Sequence, residues 1–300
     1  MTQSKSFVSV IINVHNGEKY LAEAISSVLN QSHKNLELII WDNCSKDKTR
    51  EIALSFLRAD SRVKVFSAES FQTLYQARNS ALETAGGEFF AYLDSDDMWR
   101  ADKLELAVEC MEQNDCAVFF SNLEILNEQT GERKVAYNAD LPSGSVLQSL
   151  LANYVVAISS VVFRRSVLRT ASEFFDPRFN IIGDFDLIIR LAASLDFCSS
   201  KEPLLISRQH SLNLSKVLNY TRKSEIQLWF KNSRNINMMS KSDFETAFFS
   251  LVLDASIAKN YFLSTNEVIG LLLSPRFYRL VFKKLIWFAE NRLKITGNGK

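Results

Sequence analysis

Residues 89–99 read FFAYLDSDDMW, five residues suited to a buried strand that run straight into Asp94, Asp96 and Asp97. Carboxylates this close repel one another, and a cation beside them would offset the repulsion. Asp94-Ser95-Asp96 at a strand end is a DxD arrangement, whose oxygens suit hard cations such as Mg²⁺ and Mn²⁺. Two carboxylates leave most coordination positions to phosphate oxygens and water, which suits an ion carrying a nucleoside diphosphate. Alone the pattern is a weak signal, because acidic pairs in turns commonly cap helices. A calcium loop starting at Asp94 would place Glu105 at its twelfth position. It fails because Trp99 stands where the sharp turn needs glycine and Met98 stands at a ligand position. A Walker-type phosphate loop and GxGxxG are both absent.

Alternating strand and helix signals would position these carboxylates. FVSVIIN (7–13), LELIIW (36–41), RVKVF (62–66), FFAYL (89–93) and CAVFFSN (116–122) read as strands. Helical patterns lie between them: one after Gly17, then 46–59, 72–85 closing at Gly86-Gly87, and 100–114. Such alternation predicts βαβ units and a mostly parallel sheet. Ligands of such sheets bind beyond the carboxyl ends of the strands, here 13–16, 42–45, 67–69 and 94–97. Further on, NEQTGE (127–132) reads as a turn between strands, SSVVF (159–163) as a short strand and DFDLIIRLAASL (184–195) as a helix. From about residue 216 the pattern is helical.

The 300 residues suffice for one large domain or two modest ones. A net charge of +1 gives no global field for nucleic acid. The four cysteines form no CxxC pair, so free thiols in a reducing compartment are expected. The first twenty residues lack the apolar core and cleavage site of a signal peptide, and no stretch reaches the ~18 apolar residues needed to span a bilayer. A cytoplasmic protein is expected.

Four stretches occur in order: VSVIINVHNGEKYLAEAISSVLNQ (8–31), LELIIWDNCSKDKT (36–49), QARNSALETAGGEFFAYLDSDDMWRADKLE (76–105) and GDFDLIIRL (183–191). Together they closely resemble the family 2 glycosyltransferases, inverting enzymes of the GT-A fold, across about residues 7–215. The resemblance implies a Rossmann-like, mostly parallel α/β sheet flanked by helices, with a C-terminal helical extension. The catalytic domain would be 1–215, its nucleotide-binding half about 1–122 and its acceptor half about 123–215, with a helical region over 216–300. Asn13 and His15 fall where the family's first strand end lines the nucleotide base. Asp42 falls on the aspartate that accepts from the base imide, and Arg78 on a basic residue near the nucleotide. Asp94 and Asp96 match the DxD that holds Mn²⁺ or Mg²⁺, with Ser95 beside the nucleotide. Asp184 matches the catalytic base. His210, in SRQHSLNLS, resembles a segment whose histidine lies near the metal and diphosphate. The chain departs from the family pattern in three places. It has Asp42-Asn43-Cys44-Ser45 where members often read Asp-Asp-Gly-Ser, Gly183 where Glu is usual, and Asn13 where Pro or Thr is common.

Sugar transfer with inversion needs a neutralised leaving diphosphate, a base for the acceptor hydroxyl, and the two substrates held in line. The DxD and Asp184 fill the first two roles, unlike glycoside hydrolysis, where paired acids flank the bond. By resemblance the expected donor is a nucleotide sugar of UDP type, and the expected acceptor a glycan or lipid-linked oligosaccharide in surface polysaccharide synthesis. Blander readings stand beside these. Asp184 could merely cap its helix, Asp186 could be that helix's polar edge and His33 a loop residue, whereas Trp99 reads as an aromatic wall for donor or acceptor rather than as core. The rival classes are a sugar nucleotidyltransferase, which would need a Gly-rich phosphate loop after the first strand, and a non-catalytic glycan- or nucleotide-binding relative. In PRFYRLVFKKLIWFAENRLK (275–294), Arg276, Arg279, Lys283, Glu290 and Lys294 share one helical face. Such a helix could lie on the inner face of the cell membrane, and the helical region could also form an oligomer surface.

Overall fold

The apolar run VSVIINV forms β1 (Val8–Val14), and LELIIWD forms β2 (Leu36–Asp42), parallel to it and in register from Val8 opposite Leu36 to Val14 opposite Asp42. The computed structural model describes residues 6–169, 174–211, 224–226 and 228–229. Parallel pairing continues with β3 (Val63–Ser67) on β2 and β4 (Phe89–Tyr92) on β1. The intervening helices are α1 (Leu21–Leu29), α2 (Thr49–Ala59) and α3 (Leu74–Glu83). β5 (Met98–Trp99), α4 (Lys103–Gln113), β6 (Val118–Asn127) and β7 (Arg133–Val135) follow, then β8 (Val162–Arg164), α6 (Gly183–Ala192) and β9 (Phe197–Gln209). The sheet order is β3-β2-β1-β4-β8-β6-β9-β5, with β7 on β6. β8 inserts antiparallel between β4 and β6, while β9 runs parallel to β6.

Alternation along the strands decides the layers. Val8, Val10, Ile12 and Val14 of β1 share one core with Leu38 and Ile40 of β2, Leu21, Ala24, Ile25 and Val28 of α1, and Leu104, Ala107 and Met111 of α4. α3 packs over β1 and β2 with Tyr75, Ala77, Arg78 and Ala81 buried. The described residues fall in two compact units: 6–146 with 155–211, and 147–154 with 224–226 and 228–229. The second holds α5 (Leu147–Ala152). The expected amphipathic helix 275–294, and the oligomer surface placed beyond 216, lie outside the described residues. Among the described residues no helix is long and apolar enough to cross a membrane.

Three expectations are corrected. β9 is a strand of 13 residues that the sequence reading passed over, because Lys201, Glu202 and Pro203 interrupt its apolar pattern. Trp99 belongs to the core: it is buried and its Nε1 donates to the Ser159 carbonyl at 2.7 Å. Cys116 and Cys198 are joined as a disulfide with Cα atoms 6.0 Å apart, leaving Cys44 and Cys110 as free thiols. The β6–β9 register, Phe119 opposite Cys198, brings that pair together across 82 residues.

Lys103 lies wholly in the interior of the first unit. Its Nζ donates to the Ser160 carbonyl at 2.9 Å and sits 4.8 Å over the Trp99 ring. Burial pushes its amine down to about 7. Between that value and the ordinary lysine pKa of about 10.4 the folded chain binds fewer protons than the unfolded one, so stability rises with pH. The urea midpoint is therefore expected to climb from about pH 7 to about pH 9.5, and Lys103→Met to flatten that climb.

Candidate active site

The three carboxylates of the DxD loop do not converge; each turns to its own partner. Asp94 Oδ1 accepts from Arg78 Nη2 at 2.5 Å. Asp96 Oδ2 lies 2.9 Å from His210 Nε2. Asp97 is buried, accepts from the Arg208 backbone N–H at 3.0 Å and is also bonded by the Ser159 hydroxyl, whose Oγ accepts from the Asp94 N–H. Burial, with Asp94 and Asp96 adding to it, holds the Asp97 carboxyl well above the usual range. Burial, then Asp94, raises Asp96, and His210 opposes the rise. Pairing of β5 with β9, Met98 opposite Ile206, carries residues 208 and 210 past this loop. There the His210 ring lies against Tyr20, at 5.0 Å between centroids.

The ends of β1 and β2 form a second group. Asp42 is buried; its Oδ1 accepts from the Ser45 N–H, and Oδ2 has no partner among the described residues. His15 Nδ1 donates to the Asn43 carbonyl at 2.8 Å, and Asn16 Nδ2 donates to Nε2, which assigns the Nδ1–H tautomer. The Asn43 amide clamps Gln72 in both directions, through Nδ2 to its carbonyl and from its N–H to Oδ1. This clamp sets Phe71, 64% exposed, edge-on to His15 at 4.9 Å. Asn13 pairs with Trp41 along the ladder, and both of its amide atoms are buried without a partner among the described residues. Ser95 lies beside Gly17, where a β-carbon would come 3.5 Å from the Ser95 hydroxyl, so the two loops abut.

α3 joins this region to Asp184. Tyr75 and Arg78 lie one turn apart on its buried face. Arg78 is enclosed by the rings of Tyr75, Tyr92 and Phe175, at 5.5, 5.7 and 5.6 Å. The single hydrogen of the Tyr75 hydroxyl is shared between Asp184 Oδ1 at 3.3 Å and the Ile181 carbonyl at 3.2 Å. Asn79 clamps Phe175 by a second reciprocal amide pair. Asp184, in the first turn of α6, takes the Phe185 N–H on Oδ1 at 2.8 Å, so it does contribute to that helix end as well. Burial raises its carboxyl above the ordinary value and Arg78 pulls it back. Asp186 is not a solvated edge: it is fully buried and ion-paired with Arg190 at 2.8 Å. His33 is likewise buried, its Nε2 2.8 Å from the Ser6 carbonyl.

Residues 9–171 match the model of glycosyl transferase family 2, more than half of the chain. The chain belongs to this family. It is 36% identical over 165 residues to the putative teichuronic acid biosynthesis glycosyltransferase TuaG of Bacillus subtilis, covering 55% of this chain and 65% of that one. It is 36% identical over 171 residues to the UDP-Glc:alpha-D-GlcNAc-diphosphoundecaprenol beta-1,3-glucosyltransferase WfgD of Escherichia coli, covering 55% and 63%. The chain thus spans just under two thirds of the length of each. The fold is shared with S. aureus TarS 1-349 in complex with UDP-GlcNAc, at TM-score 0.64 and 16% identity over 91% of this chain and 78% of that one. It is shared too with the mannosyltransferase PcManGT of Pyrobaculum calidifontis in complex with GDP-Man and Mn2+, at TM-score 0.56 and 14% identity over 99% and 89%. The GT-A architecture expected of a family 2 glycosyltransferase is the one observed.

Of the residues assigned to a metal, Asp96 and His210 are brought together while Asp94 faces Arg78. Among the described residues no three His, Cys, Asp or Glu side chains close on one point. A carboxylate with an imidazole is a donor set that fits a divalent ion sharing its remaining positions with phosphate oxygens. Sequence reasoning missed Phe71 and Tyr75. Phe71 carries no signal beyond an apolar residue in a polar loop; Tyr75 could have been found from its i, i+3 spacing to Arg78.

Cys44, in place of the family's usual glycine, has φ 60°. A left-handed non-glycine residue costs about 1–2 kcal/mol, against about 0.5–1 kcal/mol for glycine's greater freedom when unfolded. Cys44→Gly is expected to stabilise the chain by on the order of 0.5 kcal/mol, read as a raised urea midpoint, with Cys44→Ala giving no such gain.

Proposed function

We propose that this family 2 glycosyltransferase is an inverting, metal-dependent enzyme. It would move a sugar from a nucleotide-sugar donor, of UDP type, to a glycan or lipid-linked oligosaccharide in surface polysaccharide synthesis. The observation that carries the reading is that one face of α3 holds two separate carboxylate centres, Asp94 through Arg78 and Asp184 through Tyr75. One lies in the DxD loop and the other at a helix start, the layout that transfer with a separate base requires.

At the base end, the open Oδ2 of Asp42 accepts from the base imide, the buried amide of Asn13 offers a donor and an acceptor, and Phe71 over His15 gives the ring a stacking surface. Asp96 and His210, with Asp94 beside them, would hold Mn²⁺ or Mg²⁺, whose charge neutralises the leaving diphosphate. Ser95 and Arg78 border the same loop. Asp184 takes the proton of the acceptor hydroxyl; its oxygen attacks the anomeric carbon as the bond to the diphosphate breaks, inverting that centre. Residues 1–215 form the catalytic domain in this reading, working on the cytoplasmic face of the membrane. TuaG and WfgD, by name, belong to teichuronic acid biosynthesis and to transfer onto a diphosphoundecaprenol-linked sugar, which supports an acceptor of that kind.

The test is nucleotide release from a panel of donors and acceptors with Mn²⁺ or chelator. Chelator is expected to abolish release, and Asp96→Ala and Asp184→Asn each to lower kcat by about 10²–10⁴-fold. Undiminished turnover in either variant would overturn the assignment of that residue. Phe71→Ala is expected to weaken UDP binding about fivefold or more, as loss of base stacking does, while leaving pyrophosphate inhibition unchanged.

A further inference from the structure

We infer that Tyr75 is the positioning residue of the proposed base: it fixes one oxygen of Asp184 so that the other alone faces the acceptor, and glycine at 183 exists to admit its ring. The inference rests on the assignment of Asp184 above.

Three observations carry it. Among the described residues, both hydrogen bonds to the Asp184 carboxylate fall on Oδ1, from the Tyr75 hydroxyl at 3.3 Å and the Phe185 N–H at 2.8 Å. Oδ2 has no partner among the described residues. A carboxylate held by one oxygen keeps a defined rotamer and leaves its second oxygen's lone pairs for an incoming hydroxyl. Second, Tyr75 is itself immobilised. It is 2% exposed, its ring is stacked on Phe175 at 5.1 Å, and its hydroxyl also reaches the Ile181 carbonyl. Third, a β-carbon at Gly183 would lie 2.5–2.7 Å from three atoms of the Tyr75 ring. No side chain fits there while the ring stays, so Gly183 and Tyr75 form one steric unit ahead of the base.

The ring also faces Arg78, and the carboxylates facing the pair are Asp94 and Asp184. Removing the hydroxyl takes away a bond that favours ionised Asp184. Tyr75→Phe keeps the ring and its packing. It is expected to lower kcat about tenfold, the scale of a hydrogen bond to a charged group, with the donor KM unchanged. The acid limb of its kcat–pH profile should move to higher pH. Gly183→Ala is expected to lower the melting temperature because the ring must move, and Tyr75→Leu/Gly183→Ala to regain stability without regaining kcat. Recovery of stability alone separates the space the ring fills from the hydroxyl it carries. Wild-type kcat and an unmoved acid limb in Tyr75→Phe would overturn the inference, as would a Gly183→Ala protein as stable as wild type. Turnover unchanged in Asp184→Asn would instead sink the base assignment on which it stands.

Discussion

A guanidinium shut inside an aromatic box is the constraint on which the site depends. Arg78 is 3% exposed, with three rings around it and Asp94 at 2.5 Å as its ionic partner. A charge taken that far from water needs its partner, and leaving it unpaired would cost several kcal/mol. Asp94 is thereby tied to α3, and the DxD loop cannot drift from the helix. The rings that solvate the cation through their faces are themselves structural. Tyr75 leads to Asp184, Tyr92 ends β4 with its hydroxyl on the Arg78 carbonyl, and Phe175 is clamped by Asn79. The DxD loop and Asp184 thus share one wall.

Two asparagines finish that wall by the same chemistry. Asn43 locks the loop entering α3, and Asn79 locks the segment leading toward α6, each with a donor and an acceptor satisfied by one backbone stretch. Reciprocal amide bonding fixes both distance and orientation, which a single hydrogen bond does not. The loops after β1 and β2, where a positive φ occurs at Asn16 and Cys44, are held at their other side by Ser45 and Lys46. The backbone strain at these two strand ends thus sits in loops cross-linked by polar side chains.

The parallel half was legible in the sequence because each strand and helix of β1 to β4 carries its own period. Apolar runs, Gly86-Gly87 and the strand ends gave the crevice and its aspartates in order. What escaped reading was set by distance along the chain. β9 looks like a loop through Lys201-Glu202-Pro203, and only its pairing with β5 reveals why His210 reaches Asp96. Asp97 reads as one more carboxylate of the cluster, yet the Arg208 backbone N–H, 111 residues away, holds it in the interior, while Asp186 reads as a polar helix edge but is buried against Arg190 one turn along the same helix. Trp99 beside a motif suggested a binding wall, whereas a carbonyl 60 residues away draws its indole inward. Cys116 and Cys198 meet only through the β6–β9 register. Local pattern reports local structure; tertiary partners carry no local mark.

The span between Asp96 and His210, 114 residues, also bears on the order in which the protein is made. β1 pairs with β2 from Val8 to Leu36 and with β4 from Val8 to Phe89, so every strand of this half lies well upstream of the segment that carries His210. The imidazole that meets Asp96 is therefore among the last of the described parts to be made, and the strand return through β9 delivers it.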